Sequence, residues 1–350
     1  MADKPLLSLK FPGLPDKYTI PDGVSNDLKT ALLQLASKVA YIDGDGDTYY
    51  QDLYDALYPG ATLSSIGAVF TQGANVIYTD DSLDTLKQYL VVTAYYSNGT
   101  YETVASTDYT LSGSLTAGTS TITVSYSGKT TTFTVTVSRY RLYDYVYSES
   151  TEEKTTDYVD TGLTYSPSFN VLNIEFEAMN SNTSNNADPL ICANNQTTSN
   201  TGNIVWYARA NKGGFSAYNL GVAKQLNTVP GDTRAIVKYF FVDGGASYMQ
   251  WGNTTVTVAT MNKSNVSTND KTLLLFGGYS FSVDEKYAFG KNGRTKLGYV
   301  KFTDPSTSQL VYHFIPAYDT VNETYGFYES VNNIFYPASG QTLRCANWGA

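Results

Sequence analysis

Most of the chain alternates polar and apolar residues with a period of two. That is the signature of strands with one buried face. The runs 93–96 and 101–104 flank Ser97-Asn98-Gly99-Thr100, which predicts a hairpin about an Asn-Gly turn. The runs 121–126 and 130–137 flank Ser127-Gly128-Lys129, a second hairpin. In the latter, Phe133, Val135 and Val137 fall on one face and Thr132, Thr134 and Thr136 on the other. Further along, residues 171–178, 203–209, 235–242, 254–260, 272–277, 297–303 and 309–316 read as strands. They are separated by loops rich in Asn, Ser and Thr.

Only the first ~60 residues depart from this pattern. Residues 1–22 carry Pro5, Pro12, Pro15 and Pro21 among scattered apolar residues, which blocks regular helix and central strand. This composition suits an extended arm docked on another protein, or a loose terminus. After a capping Ser25 or Asn26, Leu28, Leu32, Leu35, Val39 and Ile42 recur at spacings of 4, 3, 4 and 3. That is an a/d seam over two heptads, able to zip three chains together or to pack on its own domain. Asp43-Gly44-Asp45-Gly46-Asp47 begins like a calcium loop. Thr48 and Tyr54 stand where such a loop needs Gly and Glu, so a polar turn is expected and no metal is assigned.

The expected organisation is an anchoring arm (1–22), a helical oligomerisation segment (23–60), an Ig-like β-sandwich (61–139), a charged, Tyr-rich linker (140–157) and a β jelly roll (158–350). The fold class is mainly β. A length of 350 residues fits several domains.

Composition narrows the function. The net charge of −9 argues against nucleic-acid binding, which needs a basic footprint. No apolar run is long enough for a membrane-spanning helix. Met1-Ala2-Asp3-Lys4-Pro5 lacks the design of a secretory signal, so synthesis in a cytoplasm and delivery by assembly are expected. The single His313 lies on a strand among apolar neighbours and leaves little room for a catalytic triad or a His-rich metal site. Cys192 and Cys345 read as buried free thiols. No cofactor is expected.

Two resemblances sharpen the picture. The segments 63–66, 76–78 and 82–87, with the ending Leu115 to Val137, resemble bacterial Ig-like domains, which recur in surface proteins and phage structural proteins. The lead-in Val39–Gly44, Thr48–Tyr50 and Leu57–Pro59 is similar to that of fibre-like proteins of gut Firmicutes phages and prophages. Tyr158-Val159-Asp160-Thr161-Gly162, Leu273–Gly277, Gly298–Asp304, Leu310–Ala317 and Gly326–Tyr336 resemble laminin-G/concanavalin-like lectin domains. These resemblances imply an oligomeric virion fibre, on head or tail, that displays a lectin-like domain to glycans of a host surface or mucus. Its partners would be itself, as a homotrimer, and another virion protein through residues 1–22. The alternative is a capsid or tail decoration that binds no sugar; an enzyme or a bacterial adhesin ranks lower.

Sugars offer an apolar C–H face and a rim of hydroxyls, so aromatic plates beside amide side chains are the candidates. Trp251 with Gln250 and Asn253 stands first, for its polar neighbours suggest exposure; Trp206, Tyr207 and Tyr248 follow. No catalytic residue is assigned. Glu175 and Glu177 share a strand face, as glycosidase carboxylates can, but an ordinary exposed strand face produces the same spacing.

Overall fold

The computed structural model describes residues 8–9, 18–19, 61–164, 172–181, 188–192, 204–208, 215–219, 222–226, 232–261, 271–279, 285–288 and 291–349. Within the arm, Ser8–Leu9 and Tyr18–Thr19 pair as two short antiparallel strands. The heptad residues Leu28, Leu32, Leu35, Val39 and Ile42 lie outside the described residues. The described chain is mainly β, as its alternation predicts. It divides into two compact units: Met1–Thr71 with Leu86–Ser112 and Ile122–Phe133, and Gln72–Thr85 with Gly113–Thr121 and Thr134–Ala350.

In the first unit, Leu63–Phe70, Leu90–Tyr96 and Tyr101–Val104 form a three-stranded antiparallel sheet. Val92 and Ala94 are buried, while the flanking Val91 and Tyr95 are exposed. The predicted Asn-Gly hairpin is present. Gly99 takes φ of +83°, and Asn98 Oδ1 accepts from the Thr100 amide at 3.0 Å and its hydroxyl at 2.7 Å. Phe70 stacks on Phe133 at 4.7 Å. The second predicted hairpin joins Gly118–Tyr126 to Lys129–Ser138 through Ser127 and Gly128, both at positive φ (44° and 78°). Two positive φ values in succession match the twist of the flanking strands. Phe133, Val135 and Val137 are buried and the intervening threonines exposed, as read from the alternation.

The second unit is built on a large and a smaller antiparallel sheet. The larger runs Thr254–Met261, Gly245–Trp251, Ala235–Phe240, Asn173–Asn180, Thr295–Thr303, Leu310–Asp319, Thr324–Glu329, Ile334–Pro337. The smaller runs Val159–Thr164, Thr272–Leu275, Asp188–Cys192, Ile204–Ala208, Phe215–Asn219, Val222–Leu226. One core joins them: Ile174, Phe176, Val237, Tyr239, Val300, Phe302 and Phe314 from the larger; Val159, Leu190, Ile191, Leu273 and Leu275 from the smaller. This is the two-sheet arrangement expected of the C-terminal region.

The 140–157 segment differs from the expected linker. Tyr140–Leu142 pairs with Leu310–Asp319, and Tyr145–Ser148 pairs with Leu343–Ala346 and reaches Thr295–Thr303. Tyr145, Val146 and Ser148 are buried. The arginines at its start are matched by carboxylates distant in sequence. Arg139 donates to both oxygens of Asp319 at 2.9 and 2.8 Å, and Arg141 donates to Asp80 at 2.8 Å and Asp81 at 3.0 Å.

Two hairpins of the large sheet share one turn design. Asp319 closes one strand and accepts from the Val321 amide, the Asn322 amide and the Asn322 side chain at 3.0, 3.3 and 2.9 Å. Glu329 does the same with Val331, Asn332 and the Asn332 side chain at 2.9, 2.8 and 2.7 Å. Each turn ends on a residue at positive φ, Glu323 and Asn333. Both carboxylates are buried. Burial alone would raise them. For Asp319 the Arg139 pair and the backbone amides outweigh it; for Glu329 the amides of His313, Val331 and Asn332 do. Both therefore stand below the usual carboxylate range.

A carboxylate whose folded pKa is depressed contributes stability that is present above its unfolded pKa, about 3.9 for Asp. That stability is lost as pH falls through the folded value. Asp319→Ala is expected to cost about 1–3 kcal/mol in urea unfolding at neutral pH, because buried donors lose their acceptor. Between pH 5 and 2, on the order of one carboxyl titration range, its stability should fall less steeply than that of the wild type. Parallel pH curves would show that Asp319 carries no such linkage.

Candidate functional site

Alternation along the large sheet turns one set of side chains away from the core. On Ala235–Phe240, Ala235, Val237 and Tyr239 are buried, whereas Ile236 and Lys238 are exposed. Register then aligns this outer set across strands. Gln250 sits opposite Lys238, Lys238 opposite Glu175, Glu175 opposite Lys301, and Lys301 opposite His313. Neighbouring strands lie about 4.8 Å apart, so these five residues make one polar row across the sheet.

Glu175 is the centre of the row. It takes an ion pair from Lys238 at 2.9 Å, a longer one from Lys301 at 3.6 Å, and a hydrogen bond from the Tyr299 hydroxyl at 2.8 Å. Lys301 also lies over the Tyr299 ring at 4.4 Å, and His313 meets that ring edge-on at 6.0 Å. Burial would raise the Glu175 carboxyl. The bonds from Lys238 and Tyr299 and the charges of both lysines outweigh burial and hold it below the usual range. Burial and the bond to Glu175 push the Tyr299 phenol well up, and burial with the Lys301 charge pushes the His313 imidazole down. Beside the row, Tyr248 stacks on Phe240 at 4.7 Å, offering a pair of aromatic rings.

Glu177 lies two residues beyond Glu175 and is nearly fully buried. Arg234 donates to one oxygen, and Trp348 Nε1 donates to the other at 3.0 Å. The Trp348 ring packs on Tyr145 at 4.2 Å, with Arg234 and Lys296 over it at 5.3 and 5.7 Å. Gly298 makes room: a Cβ there would meet Glu177 Cβ at 2.9 Å and the Asp144 carbonyl at 3.0 Å. Each glutamate is thus held by cations and donors. The face offers fixed hydrogen-bonding groups and aromatic surface. Among the described residues no group of three or more His, Cys, Asp or Glu could hold a metal ion.

The structure separates the residues singled out from sequence. Tyr248 and Gln250 share the outer face. Trp251 follows the alternation of Ser247 and Met249 to the other side and packs, partly buried, against the core. Its exposure was expected from polar neighbours, but strand period decides the matter. Asn253 is exposed in the following turn, beside Gly252 at φ of +55°, whose carbonyl accepts from Gln250 Nε2 at 3.1 Å. Trp206 and Tyr207 lie on Ile204–Ala208; their side chains are outside the described residues. Cys192 is buried and Cys345 partly so, and neither forms a disulfide. Burial pushes the Cys345 thiol up. Lys238, Lys301 and Tyr299 were not anticipated, since nothing local marks them as neighbours of Glu175.

Residues 74–137 match the bacterial Ig-like domain (group 3) family, inside the stretch expected to be Ig-like. Among solved structures, the chain is similar to a "putative carbohydrate binding protein" from Bacteroides ovatus ATCC 8483. Identity is 10%, coverage is 85% of each chain, and the TM-score is 0.37. No curated protein matches the chain.

If the two lysines hold the Glu175 charge, Lys238→Ala with Lys301→Ala should raise its carboxyl titration, because burial then dominates. Carboxyl-detected NMR would read the shift; an unchanged midpoint would show that the row does not set the charge of Glu175.

Proposed function

We propose that this chain is a non-enzymatic carbohydrate-binding display protein whose ligand lies on the outer face of the large sheet. One observation carries the reading: a row of hydrogen-bonding side chains from five adjacent strands, fixed by register, beside the stacked Phe240–Tyr248 pair. A sugar's C–H face suits such rings, and its hydroxyl rim suits alternating donors and acceptors. Groups already ordered by a sheet lose little freedom on binding. A glycosidase needs one carboxylic acid kept protonated near neutral pH. Glu175 is shifted the opposite way.

The wider setting belongs to the same proposal. The resemblances to phage fibre-like proteins support a place on a virion surface, on head or tail, after synthesis in a bacterial cytoplasm. The seam Leu28, Leu32, Leu35, Val39 and Ile42 would join three chains, and residues 1–22 would attach to another virion protein. Three weak sites on one fibre gain avidity without stronger individual contacts.

Full-length protein on an array of host cell-wall and mucin-type glycans should bind above background. Lys238→Ala with Tyr248→Ala should weaken that binding about tenfold, or ~1.4 kcal/mol. An empty array would leave the decoration reading in its place. Light scattering should give a trimer for the wild type and a monomer for Leu32→Glu with Leu35→Glu. A trimer that survives both charges would locate the oligomer contact elsewhere.

A further inference from the structure

The large sheet borders a cleft on the opposite face from Glu175. Tyr318 and Tyr325 are register partners on adjacent strands. Tyr318 shares its strand face with Phe314, and Tyr325 shares its own with Phe327; both phenylalanines belong to the core. Where that core ends, the two tyrosine rings meet at 4.7 Å and 44° and wall a cleft of 440 Å³. Glu323, Thr324, Gln341 and Arg344 complete the polar lining.

The lining divides into spent and unspent groups. Arg344 is spent: it pairs with Glu149 at 3.1 Å, donates to the carbonyls of Gln341 and Leu343 at 2.8 Å each, and lies over the Tyr325 ring at 5.4 Å. It is a wall of the cleft rather than a free cation. Glu323 is different. It is exposed at the end of the turn ordered by Asp319, and among the described residues no hydrogen bond or ion pair takes up its carboxylate. The hydroxyls of Tyr318, Tyr325 and Thr324 and the Gln341 side-chain amide are likewise unengaged among the described residues. Burial and the Glu323 charge raise the Tyr318 phenol, which keeps it protonated.

We propose that this cleft binds one neutral, pyranose-sized sugar residue. The tyrosine pair offers ring surface to its C–H face, and the carboxylate, the amide and three hydroxyls meet its hydroxyl groups. The one uncompensated charge is negative, so an acidic sugar is disfavoured. A volume of 440 Å³ lies within the range of small-ligand sites. The proposal does not rest on the sheet-face reading, because the two sites use opposite faces and share no residue.

The test uses the full chain and saturation-transfer NMR with methyl glucoside, methyl galactoside, methyl mannoside, N-acetylglucosamine and glucuronic acid. At least one neutral sugar should bind in the millimolar range, with glucuronic acid weaker. Glu323→Gln and Gln341→Ala should each weaken binding roughly fivefold, the loss of one hydrogen bond, with unchanged thermal melts. Thr134→Ala, an exposed strand position that belongs to neither sugar site, should leave it intact. Three results would each overturn the site: no neutral sugar binds, glucuronic acid binds as well as the neutral sugars, or binding survives both cleft variants undiminished.

Discussion

The second unit turns on a buried carboxylate. Asp319 is almost fully enclosed, where an unpaired charge would be untenable. Its oxygens are instead consumed by Arg139 and by the turn that follows. That closure locks three things together. The turn between Leu310–Asp319 and Thr324–Glu329 is fixed, so Tyr318 and Tyr325 are held as partners. Arg139 is drawn in, and its carbonyl accepts from the Thr320 amide at 3.1 Å and the Thr320 hydroxyl at 2.6 Å. Tyr140 is thereby set opposite Asp319, and the register of Tyr140–Leu142 follows.

The same chemistry recurs at the reversal between Thr295–Thr303 and Leu310–Asp319. At Asp304 the carboxylate accepts from the Ser306 amide and hydroxyl at 2.7 and 2.6 Å, and Ser308 takes the positive φ. Short acidic side chains bind the amides two and three residues ahead, imitating a backbone turn. Glu329 shows that a longer side chain can serve when its Asn partner is three residues on. Pro337 ends the edge strand Ile334–Pro337, where a residue with no amide donor is tolerated and discourages pairing with another chain.

Much of this architecture is legible in the sequence, and the limit has a physical cause. Alternation marks a strand and its buried face, because both are local. Asn98-Gly99 and Ser127-Gly128 announce hairpins because only certain residues accept positive φ. Pairing between distant strands is not local. Glu175 gains its meaning from Lys238 and Lys301, and nothing near it names either. The 140–157 segment reads as a linker because it is charged and Tyr-rich; the carboxylate partners of Arg141 within it, and of Arg139 just before it, lie far along the chain. Trp251 was judged by its neighbours in the turn, yet the period of its strand carries it to the core side while Gln250 faces out. The acid–Thr/Ser–Val–Asn pattern at 319–322 and 329–332 is a readable signal, and the first copy is followed directly by Glu323 of the cleft.

The two faces of the large sheet differ in what is left over after folding. On the outer face Arg234, Lys238, Lys296 and Lys301 lie about Glu175, Glu177 and Asp144, four cations against three anions, in a chain whose net charge is −9. Screening cuts off exposed charges within about 8 Å at physiological salt, so an approaching ligand meets this local balance rather than the net charge. In the cleft the only cation is already paired and an anion remains. If both proposed sites take sugars, local electrostatics would separate their ligands: the outer face would tolerate acidic substituents on a glycan, and the inner one would disfavour them. That division follows from register, since adjacent residues on a strand must point to opposite faces. One sheet can thus carry two chemistries without either site disturbing the core between them.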